Sequence, residues 1–275
     1  MNKKISLITV THKSENKISA YISSFLKYHP SDQETIEFIF IENSSSKNIE
    51  KLILPLREAG FSVKLNYTEN KGFGAGCNSG AKIASNDVLI FANPDLIFLS
   101  NISNIGCNFL NKWGTIRQVN EKNKSYSMDL LPENKNFFTE VLCLYKYIDF
   151  SSKYWLNKSY VVGSFFICDK NLFNKSTGFD ERFFLYYEEA ELSSRLHKIS
   201  GPPMLDMNYS ILHIGLGSHS STTAAIKNEI NGLKTYCEIT NQKHLLLKIK
   251  NYSAIKGLLS KNNKIRSELI GRDIK

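Results

Sequence analysis

The sequence has no long run of apolar residues. A helix that spans a bilayer needs about 20 consecutive, mostly apolar residues, and no stretch of the 275 residues approaches that length. The N-terminal segment has a short basic start, but its apolar part covers only residues 5–10, and no small-residue cleavage pattern follows it. We therefore expect no signal peptide and a cytoplasmic protein.

Closely spaced cysteines are also missing. The five cysteines stand at positions 77, 107, 143, 168 and 237, and no C-x-x-C motif occurs. Zinc sites and disulfide frameworks are typically built from closely spaced or paired cysteines. We therefore expect reduced thiols, as in a cytosolic protein, and neither a zinc site nor a disulfide framework.

Acidic residues are scarce near the C-terminal end. Residues 243–275 contain nine Lys or Arg and two Asp or Glu, which gives a net charge of +7 out of +9 for the whole chain. Apolar residues are interleaved with the basic ones, as in LLLKIK and AIKGLLSK. Such a segment could lie on an anionic membrane surface, contact nucleic acid, or form a solvated terminal helix.

Short apolar runs and amphipathic segments alternate in the first 100 residues. The pattern predicts strands at 5–10, 36–42, 62–67 and 87–92, and helices at 16–28, 48–60 (disturbed by Pro55 and closed by Gly60) and 74–84. This alternation is typical of an α/β fold with a doubly wound, mostly parallel sheet and helices on both faces. Ligands bind such sheets beyond the carboxyl ends of the strands.

The second half of the sequence is less regular. Residues 100–158 read as loops and helices with one poorly defined aromatic stretch. We predict a strand at 159–169, a helix at 187–200, and a strand within 209–220 that runs into a loop rich in glycine and serine. The pattern divides the chain into one domain over 1–222 and a basic, helical extension over 223–275.

The segment NPD interrupts an apolar run between residues 88 and 99. Asn and Pro favour turns, so a purely structural turn explains it. The segment nevertheless lies at the carboxyl end of the predicted fourth strand, where Asp95 could bind a hard divalent cation and Asn93 could supply an amide oxygen. Polar residues also end the first two strands: Thr9, Thr11, Glu42 and Asn43.

The glycine loop NKGFGAGCNSG, residues 70–80, invites comparison with dinucleotide-binding loops. The spacing G-x-G-x-x-G fails because position 77 is Cys, and the loop follows the third strand rather than the first. A glycine loop that leads into a helix can bring backbone N–H groups close to a phosphate. It can equally serve a tight turn and close packing of a helix on a sheet.

Two adjacent acids, Glu188 and Glu189, follow the apolar run FFLYY. Neighbouring carboxyl groups raise each other's pKa when they are partly buried, which suits a general base. They could also be solvated acids that favour a helix N-terminus. On the same helix, Glu191 and Arg195 have the spacing of a structural ion pair. His213 and His219 flank a glycine loop, and a lone histidine is more often structural than functional.

Six segments resemble, in this order, the successive motifs of family 2 glycosyltransferases: ISLITVTHKSE, IEFIFIENSSS, ENKGFGAGCNSGAKIA, VLIFANPD, VVGSFFICDKNLFNKSTGFDERFFLYYEEAELSSRL and HIGLGS. The resemblance covers residues 5–220 and is greatest for the bacterial rhamnosyltransferase-like branch that builds surface polysaccharide. It implies the GT-A fold, with a nucleotide-sugar half over about residues 1–100 and an acceptor half over about residues 101–222.

The resemblance also implies roles for matching positions. The implied donor-binding residues are Thr9, Thr11, Glu42, Asn43, Asn70, Gly72, Gly74, Asn78 and Asn93. Gly163, Gly178, Phe179 and Asp180 would frame the acceptor side. Asp95 would hold Mg²⁺ or Mn²⁺ on the donor diphosphate, with His213 near the metal. Glu189 would be the catalytic base, with Glu188 as the first acid of the same pair.

Three positions depart from the family pattern. Asn93 replaces the first acid of the D-x-D metal motif, and Glu42 and Glu189 each replace Asp, so each side chain reaches one methylene further. A misplacement of about 1 Å can cost on the order of a hundredfold in rate. Because the surrounding motifs are intact, we expect a remodelled acceptor pocket rather than a loss of activity.

The resemblance therefore implies an inverting, metal-dependent hexosyltransferase. It would move a sugar from a nucleoside diphosphate sugar, such as dTDP-rhamnose or a UDP-hexose, to a glycan or lipid-linked acceptor of a bacterial surface polysaccharide such as O-antigen or capsule. Residues 243–275 would then hold it at the inner face of the cytoplasmic membrane, and nucleic acid would not be a partner. The alternative is a protein that binds nucleotide sugars without transferring them.

Overall fold

The computed structural model describes residues 4–135, 158–214, 223–245 and 247. In chain order the elements are β1 (Ile5–Thr11), α1 (Glu15–Tyr28), β2 (Ile36–Glu42), α2 (Asn48–Leu52), α3 (Leu54–Glu58), β3 (Ser62–Tyr67), α4 (Phe73–Ile83), β4 (Val88–Ala92), β5 (Leu96–Phe98), α5 (Ile105–Asn108), β6 (Trp113–Val119), β7 (Met128–Leu130), β8 (Ser159–Val161), β9 (Phe165–Asp169), α6 (Lys170–Lys175), α7 (Glu188–Ser200), β10 (Met204–His213) and α8 (Thr223–Ile239). A short 3-10 turn, Pro132–Asn134, follows β7.

The main sheet has eight strands in the order β3-β2-β1-β4-β9-β6-β10-β5. The strands β3, β2, β1 and β4 are parallel, as the alternation of strands and helices predicts. Strand β9 runs antiparallel to both of its neighbours, and β5 runs antiparallel to β10. The expected α/β fold with a mostly parallel sheet is confirmed.

Both faces of the sheet are covered by helices. Side chains of successive strand residues point to opposite faces, so Leu7 packs with the core side chains of α1 while Ile8 packs with those of α4 and α7. Phe38 and Ile39 on β2 divide between the two faces in the same way. Burial on both faces explains why these strands read as continuous apolar runs in the sequence.

Several predicted boundaries need correction. The strand β6, in the segment expected to contain only loops and helices, was not predicted; its polar residues Thr115 and Gln118 are fully buried. The segment 159–169 forms two strands, and β10 begins at Met204 rather than at 209. The helix predicted at 48–60 is divided between α2 and α3 at Ile53, two residues before Pro55, because proline is tolerated only in the first turn of a helix.

The first part of the C-terminal extension is a helix that packs on the body of the protein. Leu233, Tyr236 and Cys237 of α8 share an apolar cluster with Phe183 and Tyr187. The helical prediction is therefore confirmed for residues 223–239, whereas residues 248–275 and His219 lie outside the described residues. The division at residue 222 stays a prediction. No helix among the described residues is long and apolar enough to cross a bilayer.

Candidate active site

The NPD segment is a turn at the carboxyl end of β4. The backbone N–H of Asn93 donates to the carbonyl of Ser164 (2.9 Å), which ties the turn to β9. After the turn, β5 pairs antiparallel with β10, with Leu96 opposite His213. This pairing brings His213 beside Asp95, although the two residues are far apart in the sequence.

The Asp95 carboxylate lies between two nitrogen groups. Its Oδ2 is 3.0 Å from the Nζ of Lys17, and its Oδ1 is 3.0 Å from the Nε2 of His213. Burial alone would raise the pKa of Asp95, but the His213 imidazole and the Lys17 ammonium outweigh it and lower the pKa to about 2. The carboxylate is therefore ionised near neutral pH.

The groups around Asp95 fit a divalent cation. The Nε2 atom of His213 faces the carboxylate, and Oδ1 of Asp95 is buried with no hydrogen-bond partner among the described residues, so both can face a shared ion. The ring of Tyr126 stacks on His213 at 5.8 Å and helps to cover it. No three His, Cys, Asp or Glu side chains converge within the part of the chain that the structure describes. Cations at diphosphates commonly take one or two protein ligands plus phosphate oxygens and water, which these groups allow.

The polar side chains at the ends of β1 and β2 are hydrogen-bonded to their neighbours. Glu42 is buried; its Oε2 accepts from the Thr11 hydroxyl (2.6 Å) and its Oε1 accepts from the Ser44 N–H (2.5 Å) and the Ser44 hydroxyl. The Oδ1 of Asn43 accepts from the Thr68 hydroxyl (2.6 Å). The Glu42 carboxylate thus already accepts hydrogen bonds at both oxygens, and its predicted contact with the nucleotide stays a prediction.

Thr9 is not brought to the same edge. It is completely buried, and its hydroxyl lies 3.0 Å from the hydroxyl of Tyr21 on α1. Asn70 does lie near the edge: its Oδ1 accepts from the Gly72 N–H (3.3 Å) and its Nδ2 is 3.5 Å from Nδ1 of His12. Of these two predicted donor-binding residues, only Asn70 is placed to reach a ligand without a rearrangement of the core.

The glycine loop packs tightly against the segment that leads to the acidic pair. Gly72 has φ +110°, and a Cβ there would lie 2.3 Å from the carbonyl oxygen of Phe184. A Cβ at Gly74 would lie 2.9 Å from the Cβ of Phe179. Asn78 binds the same segment twice, because its Oδ1 accepts from the Phe179 N–H and its Nδ2 donates to the Phe179 carbonyl, both at 2.9 Å. These contacts agree with the interpretation that the glycines allow close packing. Phosphate binding by the loop stays a prediction.

Two strained residues precede the acidic pair. Tyr186 has φ +75° and Tyr187 has φ +71°, so both adopt the left-handed conformation that costs a residue with a side chain about 1–3 kcal/mol. The surrounding structure enforces this conformation: a Cβ at Gly232 of α8 would lie 2.4 Å from the Tyr186 carbonyl oxygen, and Tyr187 is buried against Tyr236. The strained turn fixes where α7 begins and thus where Glu188 and Glu189 lie.

Burial raises the pKa of both acids. Glu188 is 2% exposed, and desolvation, reinforced by the charge of Glu189, raises its pKa well above the ordinary range. Desolvation also raises the pKa of Glu189 to about 7, although N–H groups of Glu189 itself and Gly163 oppose it. Of the charged groups facing Glu189, Asp129 raises its pKa further and Lys135 lowers it. Burial therefore favours the protonated form of Glu188, while Glu189 titrates near pH 7.

The dipeptide Gly163–Ser164 connects the acidic pair with the Asp95 turn. A Cβ at Gly163 would lie 3.4 Å from the side chain of Glu189, and the next residue, Ser164, accepts from the N–H of Asn93. The side chain of Ser164 is itself bound to Gln118. The dipeptide thus contacts the Glu189 side chain at Gly163 and the backbone of the NPD turn at Ser164.

The profile of glycosyl transferase family 2 matches residues 6–190, which is more than half of the chain. The chain belongs to glycosyl transferase family 2. The match contains Asp95, Gly163 and the acidic pair and ends at Ala190, so His213 lies beyond it. A search of curated protein sequences gave no match.

Solved structures share the fold of this family 2 glycosyltransferase. They include a mannosyltransferase, PcManGT, from Pyrobaculum calidifontis in complex with GDP-Man and Mn²⁺ (TM-score 0.62, 10% identity, 98% of this chain and 80% of that chain covered). They also include residues 1–349 of TarS from S. aureus (0.56, 11%, 98% and 88%) and GalNAc-T7 with UDP, GalNAc and Mn²⁺ (0.56, 14%, 78% and 44%). At these identities the likeness shows the GT-A fold alone.

One further prediction about this glycosyltransferase is confirmed, and another stays open. The ion pair between Glu191 and Arg195 is confirmed, with two hydrogen bonds of 2.6 and 2.5 Å between guanidinium and carboxylate. Asp180 is bound by the guanidinium of Arg182 (2.6 Å), which lowers the pKa of the Asp180 carboxyl. A role for Asp180 on the acceptor side stays a prediction.

Sequence reasoning missed two residues at the Asp95 turn. Lys17 could have been found, because the first turn of α1 follows β1 directly and so lies at the carboxyl edge of the sheet. Tyr126 could not, because it stands in a polar segment with no recognisable pattern. Both contact the groups around Asp95: Lys17 the carboxylate itself, and Tyr126 the ring of His213.

Proposed function

We propose that this chain transfers a sugar from a nucleoside diphosphate sugar to a hydroxyl group with inversion, and that Glu189 is the catalytic base. The observation that carries the proposal is the state of Glu189. It is a carboxyl group with a pKa of about 7, held beside Gly163 and one residue away from the contact that fixes the Asp95 turn. A general base works best when its pKa lies near the working pH.

The proposed reaction is a single displacement at the anomeric carbon. Glu189 in its ionised form takes the proton of the acceptor hydroxyl as the hydroxyl oxygen forms its bond to that carbon. The bond between the anomeric carbon and the diphosphate breaks, and the pair of electrons leaves with the diphosphate. Burial raises the pKa of Glu188 and so favours its protonated form, which limits the negative charge near the leaving group.

We propose that Asp95 and His213 hold Mg²⁺ or Mn²⁺. Bound there, such an ion would neutralise charge that develops on the leaving diphosphate. The Asp95 carboxylate, whose Oδ1 has no hydrogen-bond partner among the described residues, and the nearby Nε2 of His213 support this assignment. Two structures that share the fold, the GDP-Man complex of PcManGT and the UDP complex of GalNAc-T7, contain Mn²⁺.

The donor is proposed to be dTDP-rhamnose or a UDP-hexose, and the acceptor a glycan or lipid-linked glycan of a bacterial surface polysaccharide. Support for the donor class comes from the nucleotide ligands of the two complexes that share the fold. Support for the acceptor class is the motif order, which resembles the rhamnosyltransferase-like branch. The basic residues of 243–275 would keep the enzyme near a lipid-linked acceptor.

Replacing the base tests the proposal. We expect Glu189→Gln to lower turnover of the donor by on the order of a hundredfold to ten-thousandfold, because the amide cannot accept the proton. Donor binding, measured as thermal stabilisation by the nucleoside diphosphate, should survive. The exposed Glu58 on α3 offers a matched control, since Glu58→Gln makes the same chemical change far from the acids. Unchanged turnover in Glu189→Gln would refute the assignment.

A nucleotide-sugar-binding protein without transfer activity is the second candidate. It is favoured by Glu42, whose two carboxylate oxygens already accept hydrogen bonds from Thr11 and Ser44. Such a protein would bind the donor and hydrolyse it slowly with no transfer to any acceptor. Product analysis by mass spectrometry, with and without bacterial glycolipid extracts, separates the two candidates.

A further inference from the structure

We infer that Lys17 competes with the divalent cation for Asp95 and must leave the carboxylate when the metal and the donor bind. The inference rests on the proposed metal site and goes beyond it, since it assigns a positioning role to a residue outside the matched motifs. The turn contains a single carboxylate, Asp95, because Asn93 stands where the family has a second acid. The contact with Lys17 explains how this carboxylate stays ionised and ordered before any ligand binds.

The geometry gives Lys17 the position of a counter-ion. Its Nζ lies 3.0 Å from Oδ2 of Asp95, and the other carboxylate oxygen faces Nε2 of His213 at 3.0 Å. Both oxygens of the carboxylate are therefore in contact with nitrogen groups of the protein. Only the contact with Lys17 is a hydrogen bond, since Oδ1 has no hydrogen-bond partner among the described residues. A metal ion that takes Oδ2, or both oxygens, therefore has to displace the ammonium.

Lys17 is the partner that can move. Its side chain is 41% exposed, whereas the side chains of Asp95 and His213 are each 12% exposed. A lysine ammonium sits on a flexible four-carbon stem. Asp95 and His213, in contrast, are held by the pairing of β5 with β10 and by the hydrogen bond from the Ile214 N–H to the Asp95 carbonyl (3.1 Å).

Repulsion between the Lys17 ammonium and the metal ion makes metal binding depend on the donor. An ammonium ion and a divalent cation that share one carboxylate repel each other strongly at such short range, so the free protein should bind metal weakly. A donor diphosphate brings additional negative charge, which gives both cations an anionic partner. We therefore expect metal and nucleoside diphosphate to bind with positive coupling, and we expect Lys17 to be one source of that coupling.

The test is the affinity of Mn²⁺, measured by the electron paramagnetic resonance of the free ion, in the full chain with and without UDP and dTDP. We expect Lys17→Met to bind Mn²⁺ at least about tenfold more tightly than the wild type in the absence of nucleotide. The gain in affinity on adding nucleotide should be smaller in this variant. Lys17→Arg keeps the charge and should bind Mn²⁺ within about twofold of the wild type. If Lys17→Met does not fold, Lys17→Gln also removes the positive charge and should show the same gain in Mn²⁺ affinity over the wild type.

The matched control is Lys27→Met. It removes one positive charge from the same helix, but ten residues away, which is about 15 Å along the axis and beyond the usual screening length. This variant should bind Mn²⁺ like the wild type. Equal or weaker Mn²⁺ binding in Lys17→Met would overturn the inference.

Asp95→Asn separates this inference from the proposed function. If this variant binds Mn²⁺ as well as the wild type does, Asp95 is not a metal ligand, and both the metal site and the role of Lys17 are wrong. If Asp95→Asn loses Mn²⁺ binding while Lys17→Met gains none, the metal site stands and the inference about Lys17 alone fails.

Discussion

At the scale of single residues, the proposed function depends on the protonation of Glu189. Its pKa is raised above that of an ordinary glutamate to about 7, so the base is mostly protonated and inactive below that pH and ionised above it. We expect kcat/KM to rise about tenfold per pH unit on the acidic side and to level off above about pH 7. A rate profile from pH 5.5 to 9 measures this. A profile that is already flat at pH 5.5 would contradict the assigned base.

Residue contacts were predictable only where the two partners are close in sequence. The pair of Glu191 and Arg195 follows from the four-residue spacing on a helix. The contact between Lys17 and Asp95 joins positions 78 residues apart, and it depends on which strands are neighbours in the sheet. Thr9 shows the opposite problem: it was predicted to lie at the end of a strand, but β1 continues to Thr11 and the Thr9 hydroxyl faces Tyr21 inside the core.

At the scale of elements, the glycine loop before α4 holds the segment that leads to the acidic pair. We expect Gly72→Ala to lower the free energy of unfolding by more than about 1 kcal/mol, because it combines a strained φ with a close approach to the Phe184 backbone. Urea unfolding measures the loss. Activity should fall as well, since the displaced segment carries Glu188 and Glu189.

Gly201 provides the control for this substitution. It also has a positive φ, +81°, but a Cβ there would meet no atom within 4 Å. The free energy of unfolding that Gly72→Ala loses beyond the loss in Gly201→Ala therefore measures the clash with Phe184, separately from the backbone strain. If both variants lose the same stability, the close packing of the loop contributes nothing.

The elements of the parallel half of the sheet were predictable, whereas those of the other half were predictable only in part: strands within 159–169 and 209–213 and the helix α7 were expected, but β6 was not. Strands β1, β2 and β4 are buried on both faces and read as apolar runs in the sequence. Strand β6 contains Thr115 and Gln118, which are buried because they bind the Phe165 carbonyl and each other. The sequence shows their polarity but not these bonds, so a loop was the natural interpretation.

At the scale of the whole molecule, the positive charge is concentrated in residues 243–275. A chain that ends at residue 242 keeps α8 with its contacts to Phe183 and Tyr187, and loses a net charge of +7. We expect this truncated chain to lose binding to vesicles of anionic lipid in co-sedimentation, because each basic residue near such a surface contributes about 1 kcal/mol. Neutral vesicles are the control. Equal binding of the two proteins to anionic vesicles would refute the role of the tail.

The overall fold was predictable because strands and helices alternate along the first half, which leaves few arrangements other than a doubly wound sheet. The reversed strands β9 and β5 were not predictable, since the direction of a strand leaves no mark in its composition. These two strands complete the candidate site: β9 follows the Gly163–Ser164 dipeptide, and β5 pairs with the strand that carries His213.

The most direct test of the donor site is thermal stabilisation of the wild type and of Asp95→Asn by dTDP, UDP, GDP, CMP and NAD, each with and without Mn²⁺ or Mg²⁺. A ligand that binds only the folded state raises Tm, by roughly 5–10 °C at a hundredfold excess over Kd for a chain of this size. We predict that one nucleoside diphosphate stabilises the wild type, that metal enlarges the shift, and that Asp95→Asn loses the enlargement. No shift with any nucleoside diphosphate, or the same metal effect in both proteins, would contradict a metal-dependent donor site at Asp95.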